Sequence, residues 1–312
     1  MKKIKLANSQ EEWLKDRQKG IGGSDAAAAL GMSPYKSKYT LWCEKVGLID
    51  GRIEDNESMR LGRDLEEYVA KRFTEVTGKK VKKSGFYFQH DDHEFMLANC
   101  DRLIVGEKAG LECKTANALT RTKYDKGDIP IQYYIQCLHY LAVTGFDKWY
   151  IAVLVMGKGF YWYEVERDET EIKNLIENEK SFWYMVENKL DPIVDQSEST
   201  ADTLYKLYPD CYSDMFVNIP YDEDINCDRL MEIDSLMKKL KSEKDGIVNR
   251  LKSEMGVSEA AFSEGYKLTW KTVHSSRIDT DMLKKEYPDV YSEVLKTSQA
   301  RRFTYKKITM ED

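Results

Sequence analysis

At 312 residues, with 42% hydrophobic and 33% charged, the chain has room for a substantial core and is too apolar to be disordered. A formal net charge of −6 argues against a general polyanion binder, and no apolar run reaches the roughly eighteen residues of a membrane span. The start, MKKIKLANSQEEW, lacks the apolar stretch of a secretory signal, so the six cysteines, none in a C-x-x-C pair, read as reduced thiols in a cytoplasmic setting. Neither a disulfide framework nor a zinc site is expected.

In chain order, residues 10–19 predict a short helix, and Gly20-Ile21-Gly22-Gly23 a flexible turn. The turn opens onto an alanine-rich helix for which Ser24 or Asp25 is the natural N-cap. Helices are expected at about 38–46 and 57–76, the second placing Leu61, Leu65, Val69 and Phe73 on one face. Strands are expected at 81–88, 95–105 and 110–115, then a helix at 131–144 opened by Pro130. A hairpin of 148–156 with 159–166 turns at Gly157-Lys158, and a helix at 168–189 closes the region. The order predicts an α/β (α+β) core, a central mixed sheet flanked by helices.

The polar stretch 192–200 marks the expected boundary, giving a domain of residues 1–195 and a C-terminal module of residues 196–312. In that module Leu230, Ile233, Met237, Leu240, Ile247 and Leu251 form a heptad stripe, interrupted by Lys244, on a helix from about 224 to 255. Short strands at 259–263 and 266–273, a helix near 280–286 and a basic final strand at 301–307 follow. The stripe points to protein contacts. The competing reading is a DNA arm, built on Arg301, Arg302, Lys306 and Lys307.

One pattern in the first domain carries chemistry: Asp101, then Glu112-Cys113-Lys114 on the next strand. Residues two apart on a strand share a face, so Glu112 and Lys114 emerge together, and a hairpin partner brings Asp101 opposite them. Converging carboxylates suit a hard cation such as Mg²⁺, and the neighbouring lysine suits charge growing on a phosphate. Read alone, such a pattern is also the wet face of many antiparallel strands. Basic residues from Arg60 to Lys83 supply a local positive patch despite the acidic total.

Five elements in order then carry a resemblance. Trp13-x(3)-Arg17, Ile21-Gly22-Gly23-Ser24-Asp25, Gly62-x(3)-Glu66, Asp101…Glu112-x-Lys114 and Tyr133-x-x-Gln136 together resemble the YqaJ-type viral recombinase family. This is the lambda-exonuclease-like branch of the PD-(D/E)xK nucleases, with a restriction-endonuclease-like sheet. The resemblance implies a Mg²⁺-dependent deoxyribonuclease of a phage or prophage recombination system, degrading double-stranded DNA 5′-to-3′ and leaving 3′ single strands. One or two Mg²⁺ ions, replaceable by Mn²⁺, would be held by Asp101, Glu112, the Cys113 backbone carbonyl and Glu66. Lys114, Gln136 and Tyr133 would act on the water or the scissile phosphate. Read alone, Tyr133 is equally a core tyrosine, Gln136 an exposed amide and Glu66 a solvated charge.

Arg17 and Ser24, alone a surface charge and an N-cap, are implied to bind the DNA 5′-phosphate. Implied partners are DNA ends, a RecT/beta-like single-strand annealing protein and further copies of the chain, a trimer favoured, in the cytoplasm of a bacterial host. Alternatives are a related endonuclease or single-strand nuclease, or a non-catalytic scaffold that binds DNA ends. Asn99-Cys100 stands where the lambda pattern has proline before the aspartate, and lambda exonuclease has no counterpart to the residues after Pro192.

Overall fold

The near-continuous apolar run KWYIAVLV is a strand buried on both faces, β8 (Lys148–Val155). It pairs in parallel with β7 (Ala109–Ala116) and antiparallel with β9 (Gly159–Glu166), across the expected turn at Gly157, where φ is 67°. The computed structural model describes residues 1–5, 16–52, 55–120, 124, 127–213 and 215–307. Trp13 and most of the helix expected at 10–19 lie outside the described residues.

With β3 (Val81–Lys82) and β6 (Arg102–Ile104), these strands form a five-stranded sheet in the order β3-β6-β7-β8-β9. Alternate residues of β8 feed opposite cores. Trp149, Ile151 and Val153 pack beneath α4 (Ile131–Thr144), while Tyr150 and Ala152 pack beneath α3 (Glu57–Thr77). Only the later part of α3 is buried, through Val69, Ala70 and Phe73; Leu61, on the same expected stripe, is exposed. The result is a mixed sheet flanked by helices.

A second sheet has the order β1-β4-β5-β2, from β1 (Lys2–Lys5), β2 (Ile21–Gly22), β4 (Phe86–Gln89) and β5 (Met96–Ala98). Here two expectations are corrected. Residues 81–88 and 95–105 each predict one strand, yet each is cut in two, and the halves join different sheets. Asn99-Cys100-Asp101 carries the chain from β5 to β6. Asp101 then accepts a hydrogen bond from the Cys113 amide at 2.8 Å.

The alanine-rich segment is α1 (Gly23–Ala29), and its start also differs from expectation: Gly22 is the N-cap, and no side chain caps it. The helix begins two or three residues early, and its first residue, Gly23, lies against the Tyr140 ring, where a Cβ would come within 2.4 Å. Ser24 and Asp25 therefore fall inside the first turn. α2 (Lys38–Lys45) and α5 (Glu169–Glu187) complete the layers around α1 and α4.

Gly110 is a second point of close approach. It sits across from Trp149, and an added Cβ would stand 2.2 Å from the buried indole. Gly110→Ala should therefore destabilise the protein by about 1–3 kcal/mol in urea titration, the usual scale for overpacking. A change under about 0.5 kcal/mol would mean that the indole can move aside.

The chain divides into two compact units, Met1–Tyr208 and Pro209–Asp312. The first thus takes in α6 (Glu198–Leu207), which lies beyond the boundary expected at Asp195. α6 is held by Leu204 and Leu207 against the core and by hydroxyls: Thr40 Oγ1 lies 2.8 Å from Thr203 Oγ1, and Thr200 donates to Ser37 at 2.7 Å. In the second unit, α7 (Glu223–Met255) is the expected long helix, followed by the β10–β11 hairpin (Ala260–Phe262, Lys267–Thr269), α8 (Thr280–Glu286) and α9 (Pro288–Val294). Residues 301–307, expected as a strand, pair with no strand; instead Tyr305 donates to Asp234 at 2.6 Å and Lys307 lies 3.0 Å from Asp228. No helix among the described residues is long and apolar enough to cross a membrane.

Candidate active site

β7 presents Glu112 and Lys114 on the face covered by α4, with Cys113 turned to the α3 side. The register that pairs Glu112 with Ile151 and Cys113 with Ala152 fixes this. β6 runs antiparallel beside β7, Arg102 opposite Leu111, so Asp101 arrives next to Glu112. The sequence pattern and the strand register thus put the two carboxylates in one place.

Glu112 is almost wholly buried. Its Oε1 accepts from Lys114 Nζ at 2.6 Å and from Gln136 Nε2 at 2.7 Å, while its Oε2 is buried with no hydrogen-bond partner. Gln136 also donates to the Tyr140 hydroxyl at 2.9 Å, which in turn donates to the Asn99 carbonyl at 3.1 Å. The Lys114 ammonium stands 5.2 Å over the Tyr133 ring.

Burial and the neighbouring Glu112 charge push the Asp101 carboxyl well above the ordinary carboxylate range, against the opposing pull of the Cys113 amide and Lys114. Burial alone would depress the Lys114 ammonium; the Glu112 carboxylate overrides it and holds that lysine protonated. Two carboxylates forced together, one with an orphaned oxygen, form a site that a cation would relieve. The donor set therefore fits a hard divalent metal. Among the described residues, no three His, Cys, Asp or Glu side chains already converge on one point.

Glu66 is the ligand candidate that stands apart. It and Glu67 both accept from the Arg102 guanidinium, which is 3% exposed and also donates to the Asp101 carbonyl at 2.7 Å. Arg102 therefore ties the acidic pair of α3 to the backbone of Asp101. In the sequence it looks like a solvated strand charge, and no signal in that stretch marks its burial.

Arg17 and Ser24 lie close together, Arg17 Nη2 standing 3.3 Å from Ser24 Oγ. The same guanidinium pairs with Asp25 at 2.8 Å. Asp25 is buried and accepts from Lys45 Nζ at 2.8 Å, and Lys45 also donates to the Arg17 carbonyl at 2.6 Å. Burial works against the Asp25 charge, but Lys45 and Arg17 outweigh it and keep the carboxylate ionised below its usual range. Neither Asp25 nor Lys45 stands out in the sequence as a partner of Arg17; the Asp following Ser24 reads as a cap until the buried lysine is known.

One cavity of about 240 Å³ is lined by both groups: Arg17 and Ser24 together with Asp101, Glu112, Lys114 and Gln136. Leu97, Asn99 and Tyr140 contribute further wall.

The model of the YqaJ-like viral recombinase domain matches residues 12–147. The chain is 37% identical over 304 residues to the uncharacterized protein YqaJ of Bacillus subtilis (strain 168), covering 96% of this chain and 95% of that one. Among solved structures it resembles the alkaline exonuclease LHK-Exo of Laribacter hongkongensis, with a TM-score of 0.51 at 21% identity over 64% of this chain and all of that one. The LHK-Exo complex with dAMP gives a TM-score of 0.52 at 20% identity, covering 63% of this chain and 97% of that one. At that identity the likeness is one of fold.

Proposed function

The chain belongs to the YqaJ-like viral recombinase family, and from that premise we propose that it is a divalent-metal-dependent deoxyribonuclease acting on double-stranded DNA ends. It degrades one strand 5′-to-3′ and leaves a 3′ single strand for recombination. The observation that carries this reading is the shared cavity, in which a carboxylate pair with its lysine and an arginine–serine pair face one space.

Asp101 and Glu112, with the Cys113 carbonyl and Glu66, are the residues that would hold one or two Mg²⁺ ions, with Mn²⁺ able to substitute. When bound, such an ion supplies Lewis acidity at the phosphate and lowers the pKa of a water. Glu112 offers its unpartnered Oε2. Lys114, kept charged by Glu112, stabilises negative charge growing on the phosphate oxygens. Gln136, held between Glu112 and Tyr140, orients the attacking water, and Tyr133 packs against Lys114 to fix its ammonium.

Arg17 and Ser24 receive the 5′-phosphate, and Asp25 with Lys45 holds the Arg17 side chain in place. Family likeness further supports a homo-oligomer, a trimer favoured, around DNA, and a single-strand annealing protein as partner in a bacterial cytoplasm.

The test uses linear duplexes with 5′-phosphate or 5′-hydroxyl ends and a closed circle, with Mg²⁺ or EDTA. Mg²⁺ should permit shortening of the linear forms alone, faster from 5′-phosphate. Arg17→Ala should narrow that preference by about tenfold to a hundredfold, the worth of a charge-assisted contact of roughly 1.5–3 kcal/mol. Equal rates on both ends of the unmutated protein would remove the phosphate pocket from the reading. Digestion of the circle would make the enzyme an endonuclease.

A further inference from the structure

We propose that α7 pairs with α7 of a second copy of this chain, as an antiparallel two-helix coiled coil. This stands apart from the nuclease reading and uses none of its residues.

α7 runs for 33 residues, about 50 Å at the helical rise. Ile233, Met237, Leu240, Ile247 and Leu251, with Lys244 in the remaining place, follow strict four-three spacing, the repeat of a coiled-coil seam. All five apolar residues are exposed, from 38% at Ile233 to 64% at Leu240. Over the seam's open length the unit's own chain occupies a different side of the helix: Tyr305 bonds Asp234, and Lys252 stands 5.3 Å over the Trp270 ring. Met255, one turn past Leu251 on the seam's own side, is buried, so the open seam ends at Leu251. Asp234 and Lys252 lie roughly a third of a turn from Leu240, so these contacts flank the seam and leave it open.

Charge selects the occupant and its direction. The first half of α7 and its approach carry Asp222, Glu223, Asp224, Asp228, Glu232 and Asp234. The middle and second half carry Lys238, Lys239, Lys241, Lys244, Arg250 and Lys252, with Glu243, Asp245 and Glu254 among them. A second copy laid antiparallel brings Glu232 and Asp234 level with its Lys252 and Arg250, and Lys239 and Lys241 level with its Asp245 and Glu243, and opposes the helix dipoles, whereas a parallel copy stacks like on like. A polyanion would meet the acidic half and be repelled.

The antiparallel register closes on itself. Ile233 meets Leu251 of the second copy, Met237 meets Ile247, and Leu240 meets Lys244. Glu243 of the second copy lies on the adjoining turn, within reach of that lysine. A single lysine in an apolar seam costs stability but fixes register, since any slip buries it against a purely apolar layer. A twofold contact cannot close a ring of three, so in a trimeric assembly it would join copies from different rings.

The experiment uses the full chain with Cys211→Ser and Cys227→Ser, which clears the tail's own thiols. Ile233→Cys and Leu251→Cys are made as separate proteins, then mixed and mildly oxidised. The mixture should give a mixed-disulfide dimer, and neither protein alone should cross-link. Cross-linking of each protein with itself would show a parallel pair and overturn the proposal, as would no cross-linking in the mixture. Leu240→Glu should halve the assembly mass in sedimentation while helicity by circular dichroism stays unchanged. An unaltered mass would overturn the proposal. Should that variant not fold, the disulfide pattern, obtained from milder substitutions, still decides.

Discussion

Asp101→Asn is expected to lower DNA cleavage about a thousandfold or more, and at the same time to stabilise the metal-free protein at alkaline pH. The loss follows from removing one carboxylate of the pair proposed to hold the metal. The gain follows from linkage. Burial and Glu112 raise the Asp101 pKa in the folded protein above its unfolded value, so the native state binds the proton more tightly than the unfolded chain does. Metal-free stability is then greatest below the ordinary Asp range and declines as pH climbs through the raised folded pKa. An asparagine cannot ionise, can still accept the Cys113 amide bond, and should flatten that decline. Mg²⁺ should restore stability to the unmutated protein at alkaline pH and do little for the variant. Thermal melts across pH, with and without Mg²⁺, check this. A variant that cleaves at near wild-type rate, or melts in parallel with the parent at every pH, would remove Asp101 from the site.

Glu179→Met should cost about 3–5 kcal/mol, the usual penalty for stranding one member of a buried ion pair. His139 and Glu179 are both fully buried, with Nδ1 2.8 Å from the carboxylate and Nε2 2.9 Å from the Leu97 carbonyl. A carbonyl only accepts, so Nε2 must carry a proton, and the ionised carboxylate demands a second on Nδ1. Burial opposes that charge, but Glu179 and its hydrogen bond override it and raise the His139 pKa. The pair's contribution is therefore complete below the unfolded histidine pKa of about 6.5 and is lost as pH rises through the higher folded value. The double variant His139→Leu/Glu179→Met should recover much of the loss, because an apolar replacement leaves no stranded charge. Urea titrations of the single and double variants measure both. A single variant within about 1 kcal/mol of wild type would mean that water reaches the site. The pair matters to chemistry through Leu97, which it pins to α4 and which lines the cavity.

Much of the site could be read in advance because it rests on local geometry. Glu112 and Lys114 share a face by strand alternation, and Tyr133 and Gln136 share a helix face by spacing. The β8–β9 hairpin and α4 announced themselves by turn residues and apolar periodicity. The cut at residues 99–101 did not, because both halves keep the same two-residue alternation; only their partners, β4 and β2 against β7 and β3, tell them apart. Arg102 was illegible for a related reason: its burial is created by two glutamates on a helix far back in the chain. α6 was passed over because only Leu204 and Leu207 of its inner face are apolar, and the fully buried positions are threonines held by hydroxyl bonds.

The route between the two carboxylates has one soft and one hard part. Residues 105–108 are exposed, and Gly106 turns with φ at 85°, clear of the cavity. Residues 100–102 are fixed by a buried thiol, the bond from the Cys113 amide and a buried guanidinium. Lengthening the chain at Gly106-Glu107 would leave Asp101 and Glu112 facing each other, whereas one extra residue between Asn99 and Arg102 would turn the aspartate to the opposite side. The ten residues separating the acids therefore measure a turn and carry no chemical requirement. Chains with the same centre can differ in that count, and a search keyed to the interval would pass them by.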